Sequence, residues 1–483
     1  MNQEMLQARL GELADKHHVI GASLALAVGD ETVTAAAGVL NARTGAPVTA
    51  DSVFQIGSIT KVWTATLVMQ LVDEGLVDLD APVTGYLPEF RVLDEEITSA
   101  VTARHLLDHT SGIGGDFFPD TGRGDDCVAR YVAAMSGLGA SHPLGATMSY
   151  ANSGFVVLGR LVEVVTGKSW DTAARERLFA PLGLEAAGTL PEEALLWGAA
   201  AGHLGTEVTP QWGLPRAIGP AGLIHARAVD LLAFARLHLA DGVTADGRRV
   251  LSADAAKAMR EPQAAIPEPW TSGSHVGLGW MLSDWGRPVF GHDGQTLGQT
   301  AYLQVVPGPV PVAVALLTNS NDSQPLQREL FSELLAEHAS VTMPAPPRPP
   351  AVAVAGGPAD IAGTYERVLM SYDVAERDGA MVLVARPSGV LALSLGTDRI
   401  EAELVPFAPD AYLVQLPGRA DWLPVMFYTL RDGTRYLHVG GQAAPRRGLA
   451  DCAADRAAGE DAEIKAALPD DEGAADQQVT DPA

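Results

Sequence analysis

The sequence predicts an α+β fold joined to a small all-β domain nearer the C-terminus. Residues 58–74 form an apolar stretch with no polar face, strand-like runs lie far apart at 19–40 and 300–319, and short alternating runs fill 359–448. A helix that is apolar on every side is a buried helix, and a period of two is typical of half-buried strands. The chain has 483 residues, which is long enough for one large domain and a smaller one.

The first elements of the chain predict a helix and a hairpin. Apolar residues recur at helical spacing over 3–16. The runs VIGASLALAV (19–28) and TVTAAAGVL (32–40) flank a Gly-Asp pair, which is a hairpin turn signal. The run 300–319 contains a Pro-Gly pair, so it predicts two further strands.

Helices and loops dominate the sequence between these strands. The apolar stretch 58–74 is followed by Gly75, a residue type that commonly ends helices. Further helices are predicted over about 155–166 and 227–240, among loops rich in glycine and proline.

A proline-rich segment divides the chain. PAPPRPPAVA (344–353) has five prolines in ten residues, a composition typical of an extended spacer. We therefore predict a first domain over 1–343, a linker over 344–358 and a β-barrel or meander over 359–448. The remaining residues, 449–483, are acidic and rich in alanine, so we expect them to be disordered.

The composition excludes several classes of partner. The formal net charge is −26, which disfavours nucleic acid and anionic membranes. The N-terminal residues lack the basic and apolar segments of a secretory signal, and no apolar run reaches the roughly 18 residues of a membrane span. With only two cysteines, Cys127 and Cys452, a disulfide framework is not expected. We expect a cytoplasmic protein that needs no cofactor.

The stretch FQIGSITKVW (54–63) places Lys61 three residues after Ser58, and Lys61 is one of only five lysines in the chain. On a helix these two side chains share a face. Burial lowers the pKa of a lysine, so a buried Lys61 can take a proton from the serine hydroxyl. The alternative is structural: Ser58 caps the helix and Lys61 extends its amine to solvent.

A second candidate is the turn Tyr150-Ala-Asn152 in SYANSGFVVLGRLVE (149–163). A phenol near an amine can share in moving a proton, and an asparagine amide can bind a substrate carbonyl or orient a lysine. The alternative is that Asn152 caps the helix that follows.

A third candidate is FGHDGQTLG (290–298), just before the strand at 300. Gly294 beside a strand edge allows a substrate to approach the backbone, and the N–H of Gln295 can complete an oxyanion hole with the N–H of Ser58. The same His-x-Gly string occurs at three other positions, so only its order and its strand context favour His292.

Two other features carry less weight. His105 and His109 have a metal-like spacing, but Leu106 stands where a zinc hydrolase of this pattern needs its glutamate, so no metal is expected. Several tryptophans lie between the second and third motifs, and we expect most of them in the core. Trp212 is the one we place in a substrate pocket.

The three motifs together resemble the serine β-lactamase and penicillin-binding-protein superfamily, and most closely the class C β-lactamase-like serine hydrolases, which include esterases, D-aminopeptidases and acyltransferases. The segments 54–90, 102–113 and 219–239 are similar to the same family. The resemblance covers about residues 10–340. It implies an antiparallel sheet of five or more strands, built from both ends of that region and flanked by helices. An all-helical region is inserted after the first helix.

The resemblance also implies a role for each candidate residue. Ser58 is the nucleophile, Lys61 and Tyr150 form the general base pair, and Asn152 binds substrate. The backbone N–H groups of Ser58 and Gln295 form the oxyanion hole. His292 departs from the pattern, since β-lactamases of this fold have the lysine of a Lys-Thr-Gly motif there.

A histidine in that position is mostly neutral at pH 7, so a substrate carboxylate has no ion-pair partner there. We therefore expect a small neutral ester or amide as substrate and hydrolysis through an acyl-enzyme on Ser58. The alternatives are a transacylase that passes the acyl group to an amine or alcohol, a D-aminopeptidase or β-lactamase, and a non-catalytic binding module of the same fold. We expect the C-terminal β-domain to affect substrate access more than chemistry.

Overall fold

The structure is a computed structural model. It describes residues 2–270, 273–352, 354, 360–417 and 421–448, so the predicted acidic tail (449–483) lies outside the described residues. None of the helices in the described part of the chain is long and apolar enough to cross a membrane.

The strands of the described residues fall into a first group before the proline-rich segment and a second group after it. The first group is β1 (Gly21–Val28), β2 (Glu31–Gly38), β3 (Phe54–Gln55), β4 (His203–Leu204), β5 (Glu207–Val208), β6 (His225–Ala226), β7 (Ala264–Ala265), β8 (His275–Val276), β9 (Met281–Asp284), β10 (Pro288–Thr296), β11 (Gln299–Val306) and β12 (Val312–Thr318). The second group is β13 (Gly363–Arg367), β14 (Met370–Arg377), β15 (Ala380–Pro387), β16 (Ile400–Glu403), β17 (Val405–Ala408), β18 (Ala411–Gln415), β19 (Trp422–Thr429), β20 (Arg435–Val439) and β21 (Gln442–Pro445).

The helices lie mostly between β2 and β7. They are α1 (Gln3–Lys16), α2 (Thr60–Asp73), α3 (Glu95–Ala100), α4 (Ala103–Leu107), α5 (Cys127–Ala134), α6 (Asn152–Thr166), α7 (Trp170–Ala174), α8 (Ala180–Leu182), α9 (Pro191–Ala194), α10 (Gly219–Gly222), α11 (Ala228–Leu239), α12 (Ala253–Ala258), α13 (Gln324–Ala339) and α14 (Gly389–Leu395). A 3₁₀ turn, Gly57–Ile59, leads directly into α2.

The main sheet has eight strands within the described residues, in the order β2-β1-β12-β11-β10-β9-β8-β7, and its neighbouring strands are antiparallel. Ala22 of β1 faces Thr318 of β12, so strands from the two ends of this region are neighbours. This confirms the expected antiparallel sheet.

The sheet is buried on both faces. Leu24 and Leu26 of β1 belong to a core with helices α1 and α13, whereas Ala25 and Ala27 belong to the core that contains α2, α6 and α11. Alternate residues of a strand point to opposite faces, so one strand serves both layers. The result is the expected sandwich of helices around a sheet.

The helical region departs from the expectation in one respect. It is not wholly helical, because β3 pairs with β6 and β4 pairs with β5. The first of these pairs holds the chain just before Ser58 against residues 225 and 226. A two-residue strand is too short for a period-two pattern, which explains why the sequence did not predict it.

The C-terminal region forms two antiparallel sheets, β13 to β16 and β17 to β21, each in chain order like a meander. Their inner faces share one apolar core, which includes Tyr365, Phe427 and Leu437. The region was predicted as all-β, yet it also contains the short helix α14, which fills the connection between β15 and β16. Residues 344–352 contain no helix or strand.

Candidate active site

Ser58 lies in the 3₁₀ turn before α2, partly exposed, and Lys61 lies one turn further on. Lys61 is fully buried, and its Nζ atom lies 3.0 Å from Ser58 Oγ and donates to the carbonyl of Ala221 at 2.7 Å. Burial lowers the pKa of Lys61 to about 7, and the nearby Asp116 carboxylate opposes this shift. A large fraction of the amine is therefore neutral near pH 7. The amine is buried, whereas the structural alternative expected it to extend to solvent.

Two glycines allow β10 to run directly against the Ser58 turn. Gly57 has φ +51°, and a Cβ atom there would lie 2.5 Å from the backbone nitrogen of Gln295. A Cβ atom at Gly294 would lie 3.0 Å from the backbone nitrogen of Ser58 and would overlap the carbonyl of Ile56. Side chains at either position would push these backbones apart. The two glycines thus bring the backbones of Ser58 and Gln295 together.

Tyr150 lies beside this pair. The Nζ atom of Lys61 is 4.9 Å from the centroid of the Tyr150 ring. Burial raises the pKa of the Tyr150 phenol well above its usual range. The structure therefore favours the neutral phenol rather than the phenolate.

His109 packs against the other side of Tyr150. The two rings are stacked with centroids 4.3 Å apart, and His109 is 1% exposed. The Nδ1 atom of His109 accepts a hydrogen bond from the N–H of Ala151 at 3.0 Å, and its backbone has a positive φ of 59°. Burial lowers the pKa of His109 well below its usual range, so the ring is neutral.

Asn152 is the first residue of α6, and it does not cap the helix. The cap position is Ala151, and no side chain makes the capping hydrogen bond. Instead Asn152 Nδ2 donates to Asp116 Oδ1 at 3.0 Å. Because a carboxylate only accepts, this bond leaves the Oδ1 atom of Asn152 as the acceptor of the amide.

His292 is 4% exposed and lies on β10 with its ring centroid 6.1 Å from that of Tyr150. Its Nδ1–H donates to the carbonyl of Asp293 at 2.6 Å, and its Nε2 atom has no partner among the described residues. Burial, aided by the charge of Lys61, lowers the pKa of His292 to about 3. The ring is therefore neutral at pH 7.

A cleft of about 660 Å³ opens at Ser58. Its lining includes Tyr150, His292, Gly294 and Gln295. Charged and aromatic side chains complete it: Glu268, Asp293, Asp322, Arg328, Trp270 and Trp285. Acidic groups thus outnumber basic ones in the part of the lining that the structure describes.

Trp212 is not among the described residues that line this cleft. Its indole N–H donates to the carbonyl of Ala200 at 2.8 Å, and its ring packs with a small apolar cluster that includes Val53 and Ala194. The prediction that Trp212 lines a substrate pocket therefore has no support in this geometry. Trp270 and Trp285 occupy that role in the lining.

The C-terminal sheets reach the site. Gly440 and Gly441 line the cleft, and the carbonyl of Gly441 accepts a hydrogen bond from the N–H of Tyr150 at 2.8 Å. The N–H of Ala443 donates to Ser149 Oγ at 3.0 Å. These contacts place the second group of strands directly on the Tyr150 turn.

Sequence reasoning missed Asp116, His109 as a partner of Tyr150, Arg328 and Gly441. Arg328 and Gly441 are brought to the cleft by α13 and by the turn after β20, so no local pattern identifies them. The Gly-Gly pair before Asp116 was the one local signal of a close approach. The His105–His109 pair is divided, since His105 Nδ1 lies 3.0 Å from Thr102 Oγ1, and no three potential ligands in the described residues are grouped to hold a metal.

The chain is similar in sequence and in structure to several known proteins. A family model described as "Beta-lactamase" matches residues 6–338. Penicillin-binding protein 4 of Amycolatopsis lactamdurans is 50% identical over 369 residues, which are 75% of this chain and 97% of that protein. SurE, crystallised with D-Leu, superposes with a TM-score of 0.74 and 29% identity, covering 92% of this chain and 99% of SurE. The D-amino acid amidase of Ochrobactrum anthropi SV3, complexed with L-phenylalanine amide, superposes with a TM-score of 0.56 and 26% identity. The match covers 69% of this chain and 99% of the amidase.

Proposed function

The chain belongs to the beta-lactamase family, and on that premise we propose that it forms an acyl-enzyme on Ser58 and cleaves small ester or amide substrates. The observation that carries the proposal is the fully buried Lys61 amine, with a pKa of about 7, 3.0 Å from Ser58 Oγ. A binding module has no use for a buried lysine kept near neutrality beside a serine hydroxyl. For a nucleophile and its base, this arrangement is what the chemistry requires.

In the proposed reaction the neutral amine of Lys61 takes the proton of the Ser58 hydroxyl, and Oγ attacks the carbonyl carbon of the substrate. The N–H groups of Ser58 and Gln295 stabilise the oxyanion. As the bond to the leaving group breaks, the leaving group takes the proton from the lysine. Water then attacks the acyl carbon, loses its proton to Lys61, and releases the acid while Ser58 regains its proton.

Tyr150 and Asn152 have supporting roles in this scheme. Because burial raises the pKa of Tyr150, we assign the base to Lys61. The neutral phenol relays the proton: it gives its own proton to the leaving group as it takes one from the Lys61 ammonium. Asn152 is not among the described residues that line the cleft. Its Nδ2 group is held by Asp116, so its proposed part is to accept an N–H of the substrate through Oδ1.

The cleft favours substrates without a negative charge. His292 is neutral, and one guanidinium, Arg328, is opposed by the carboxyl groups of Glu268 and Asp322 and in part by Asp293, whose pKa burial raises to about 7. An anionic acyl group would meet more repulsion than attraction there. The relatives named as a D-amino acid amidase and as SurE with D-Leu make amides and esters of amino acids the first substrates to test.

A transacylase is the second candidate. The cleft volume of about 660 Å³ leaves room for an acyl group together with an amine or alcohol acceptor. A transacylase would use the same catalytic residues as the hydrolase, and so would a D-aminopeptidase or a β-lactamase. Adding amine acceptors to a turnover assay distinguishes transfer from hydrolysis, because only transfer yields the acylated amine.

A fluorophosphonate probe tests the proposal. Intact-mass spectrometry of the wild-type protein should show one adduct, and peptide mapping should place it on Ser58. Ser58→Ala should abolish both the adduct and turnover, whereas Ser99→Ala, which changes an exposed serine bonded only to its own helix, should keep them. A wild-type protein without an adduct, or an adduct retained by Ser58→Ala, would contradict the assignment.

We also propose the division into a catalytic domain over 1–343, a linker over 344–358 and an accessory β-domain over 359–448. The separate apolar core of the C-terminal sheets supports this division. The cytoplasmic location expected from the sequence stays a prediction.

A further inference from the structure

The β-domain, residues 359–448, holds the turn that carries Tyr150 and Asn152 from one side and the loop around Asp116 from the other. Besides the Tyr150–Gly441 backbone bond, Arg367 on β13 extends into the catalytic domain and donates through Nη1 to Asp116 Oδ2 at 2.7 Å. The side chains of Arg367 and Asp116 are only 12% and 7% exposed, so this ion pair is buried.

Asp116 connects this arginine to the catalytic residues. One of its oxygens accepts from Arg367 and the other accepts from Asn152 Nδ2 at 3.0 Å. Since both oxygens are engaged, the guanidinium determines how the carboxylate is turned. The carboxylate in turn determines how the Asn152 amide is turned.

Asp116 also acts on Lys61 through its charge. The groups that face Lys61 are Ser58, the Tyr150 phenol, the His109 and His292 rings, and Asp116. The two histidines are neutral because burial lowers their pKa values, and burial keeps the phenol protonated. Asp116 is thus the negative charge that raises the pKa of Lys61, and the positive charge of Arg367 opposes it.

We propose that Arg367 is a positioning residue for the reaction at Ser58: through Asp116 it orients Asn152 and limits the electrostatic effect of the carboxylate on Lys61. The proposal rests on the proposed function for its kinetic consequences, but not for its electrostatic ones. By this proposal the β-domain affects the chemical step at Ser58, whereas the sequence led us to expect an effect mainly on substrate access.

Two substitutions with opposite charge effects test it. Arg367→Met leaves Asp116 uncompensated, so the acid limb of the pH–rate profile for fluorophosphonate labelling should move up by about 0.5–1 pH unit, a three- to tenfold slower labelling at pH 6. Asp116→Asn removes the negative charge, so the acid limb should move down. The double variant should lie between the two single variants.

Matched controls separate charge from general loosening of the domain contact. Arg377→Met removes an exposed pair with Glu401 in the same β-domain, and its profile should match the wild type. Arg367→Lys keeps the charge and should keep the acid limb close to the wild-type position. Loosening alone would slow both the Arg367 and the Asp116 variants without moving their acid limbs in opposite directions, and that result would overturn the proposal.

A second readout needs no substrate. The chain has five lysines, so a protein labelled with ¹³C at lysine Cε gives few signals, and Lys61→Met identifies the Lys61 signal. The Lys61 titration midpoint should rise in Arg367→Met and fall in Asp116→Asn. If Arg367→Met does not fold, Asp116→Asn decides alone, and an unshifted midpoint overturns the inference. If the midpoints shift as expected while the wild type takes no label, the proposed function fails and this inference stands.

Discussion

The two halves of the active site are supported in different ways. Ser58 lies in the 3₁₀ turn that leads into α2 and Lys61 lies in the first turn of α2, so their 3.0 Å contact is set by local geometry. Tyr150 and Asn152 depend on groups that are distant in sequence: the carbonyl of Gly441, the ring of His109 and the carboxylate of Asp116. The proposed nucleophile and base are therefore built locally, whereas the proposed proton relay and substrate amide are held by distant segments, namely His109 and Asp116 earlier in the chain and Gly441 in the C-terminal sheets.

This difference predicts that activity at Ser58 and Lys61 is lost when one of their own functional groups is replaced. At Tyr150 and Asn152 we expect activity to depend also on the residues that hold them in place. In the first half, replacing one functional group should remove activity and leave the fold intact. In the second half, a residue that touches no substrate, such as Arg367, should still alter the reaction. Changes at Ser58 and Lys61 should accordingly have the largest effects.

Lys61→Arg gives the largest expected effect in this comparison after loss of the nucleophile. Arginine keeps the positive charge but does not act as a base, so labelling and turnover should fall by about 10³-fold or more. Lys61→Ala should be equally damaging. The rate of fluorophosphonate labelling measures both variants. If the arginine variant kept more than about a tenth of the wild-type rate, Lys61 would supply only charge.

Gly57→Ala tests the contact between the nucleophile turn and β10. The added Cβ would lie 2.5 Å from the backbone nitrogen of Gln295, and the backbone has φ +51°. We expect a loss of about 2–4 kcal/mol in the free energy of unfolding and at least about a tenfold slower labelling.

Gly75→Ala is the matched control. Gly75 has φ +69°, but a Cβ there meets nothing within 4 Å. It should therefore lose only about 1 kcal/mol and label at the wild-type rate. Equal effects of the two substitutions on labelling would show that the close approach of β10 has no part in the reaction.

The sequence predicted the locally built half well. An apolar helix with Lys61 three residues after Ser58 is a local pattern. Lys61 lies on that helix, and Ser58 lies in the 3₁₀ turn that leads into it. The hairpin and the distant strand pair were also readable, because period-two runs bounded by turn signals are local. The joining of these strands into one sheet came from the resemblance to a family.

The second half was less accessible from the sequence. The link from Arg367 to Asp116 spans 251 positions and joins strand β13 to the loop between α4 and α5, and nothing in either local sequence indicates it. Trp212 lies outside the described lining of the cleft, and the sequence did not indicate this because aromatic residues in loop sequence serve cores and pockets equally well. The Trp212 ring packs against the small apolar cluster that includes Val53.

A buried lysine that is kept near neutrality for catalysis should lower the stability of the protein. Because the pKa of Lys61 is about 7 in the folded chain against 10.5 for an ordinary lysine, the unfolded state binds more protons between these pH values. The free energy of unfolding of the wild type should therefore rise as the pH increases through this window.

Lys61→Met should accordingly be inactive yet more stable, by about 2 kcal/mol at pH 7 after the lost bond to Ala221 is counted. The gap between the two proteins should shrink toward pH 10. Urea denaturation at both pH values measures it. A gap that is absent at pH 7, or that widens with pH, would contradict a lowered pKa at Lys61.

The smallest expected effect of these substitutions concerns His292, in the lining of the cleft. A neutral imidazole there offers no ion pair to a substrate carboxylate, and burying an unpaired carboxylate is unfavourable. Arg328 also lines the cleft, but so do Glu268, Asp322 and Asp293, and burial raises the pKa of Asp293 to about 7. Short p-nitrophenyl esters should therefore react much faster than penicillins or cephalosporins.

His292→Lys should shift this preference toward carboxylate-bearing substrates by roughly 1–2 kcal/mol, which is about a five- to thirtyfold change in the ratio of kcat/KM for nitrocefin to that for p-nitrophenyl acetate. Taking a ratio removes any common loss of activity, and His292→Gln serves as the neutral control because it should leave the ratio near the wild-type value. Both variants retain Ser58 and Lys61, so ester acylation should persist. Nitrocefin hydrolysis by the unmodified protein at the rate of its best ester would instead favour a β-lactamase.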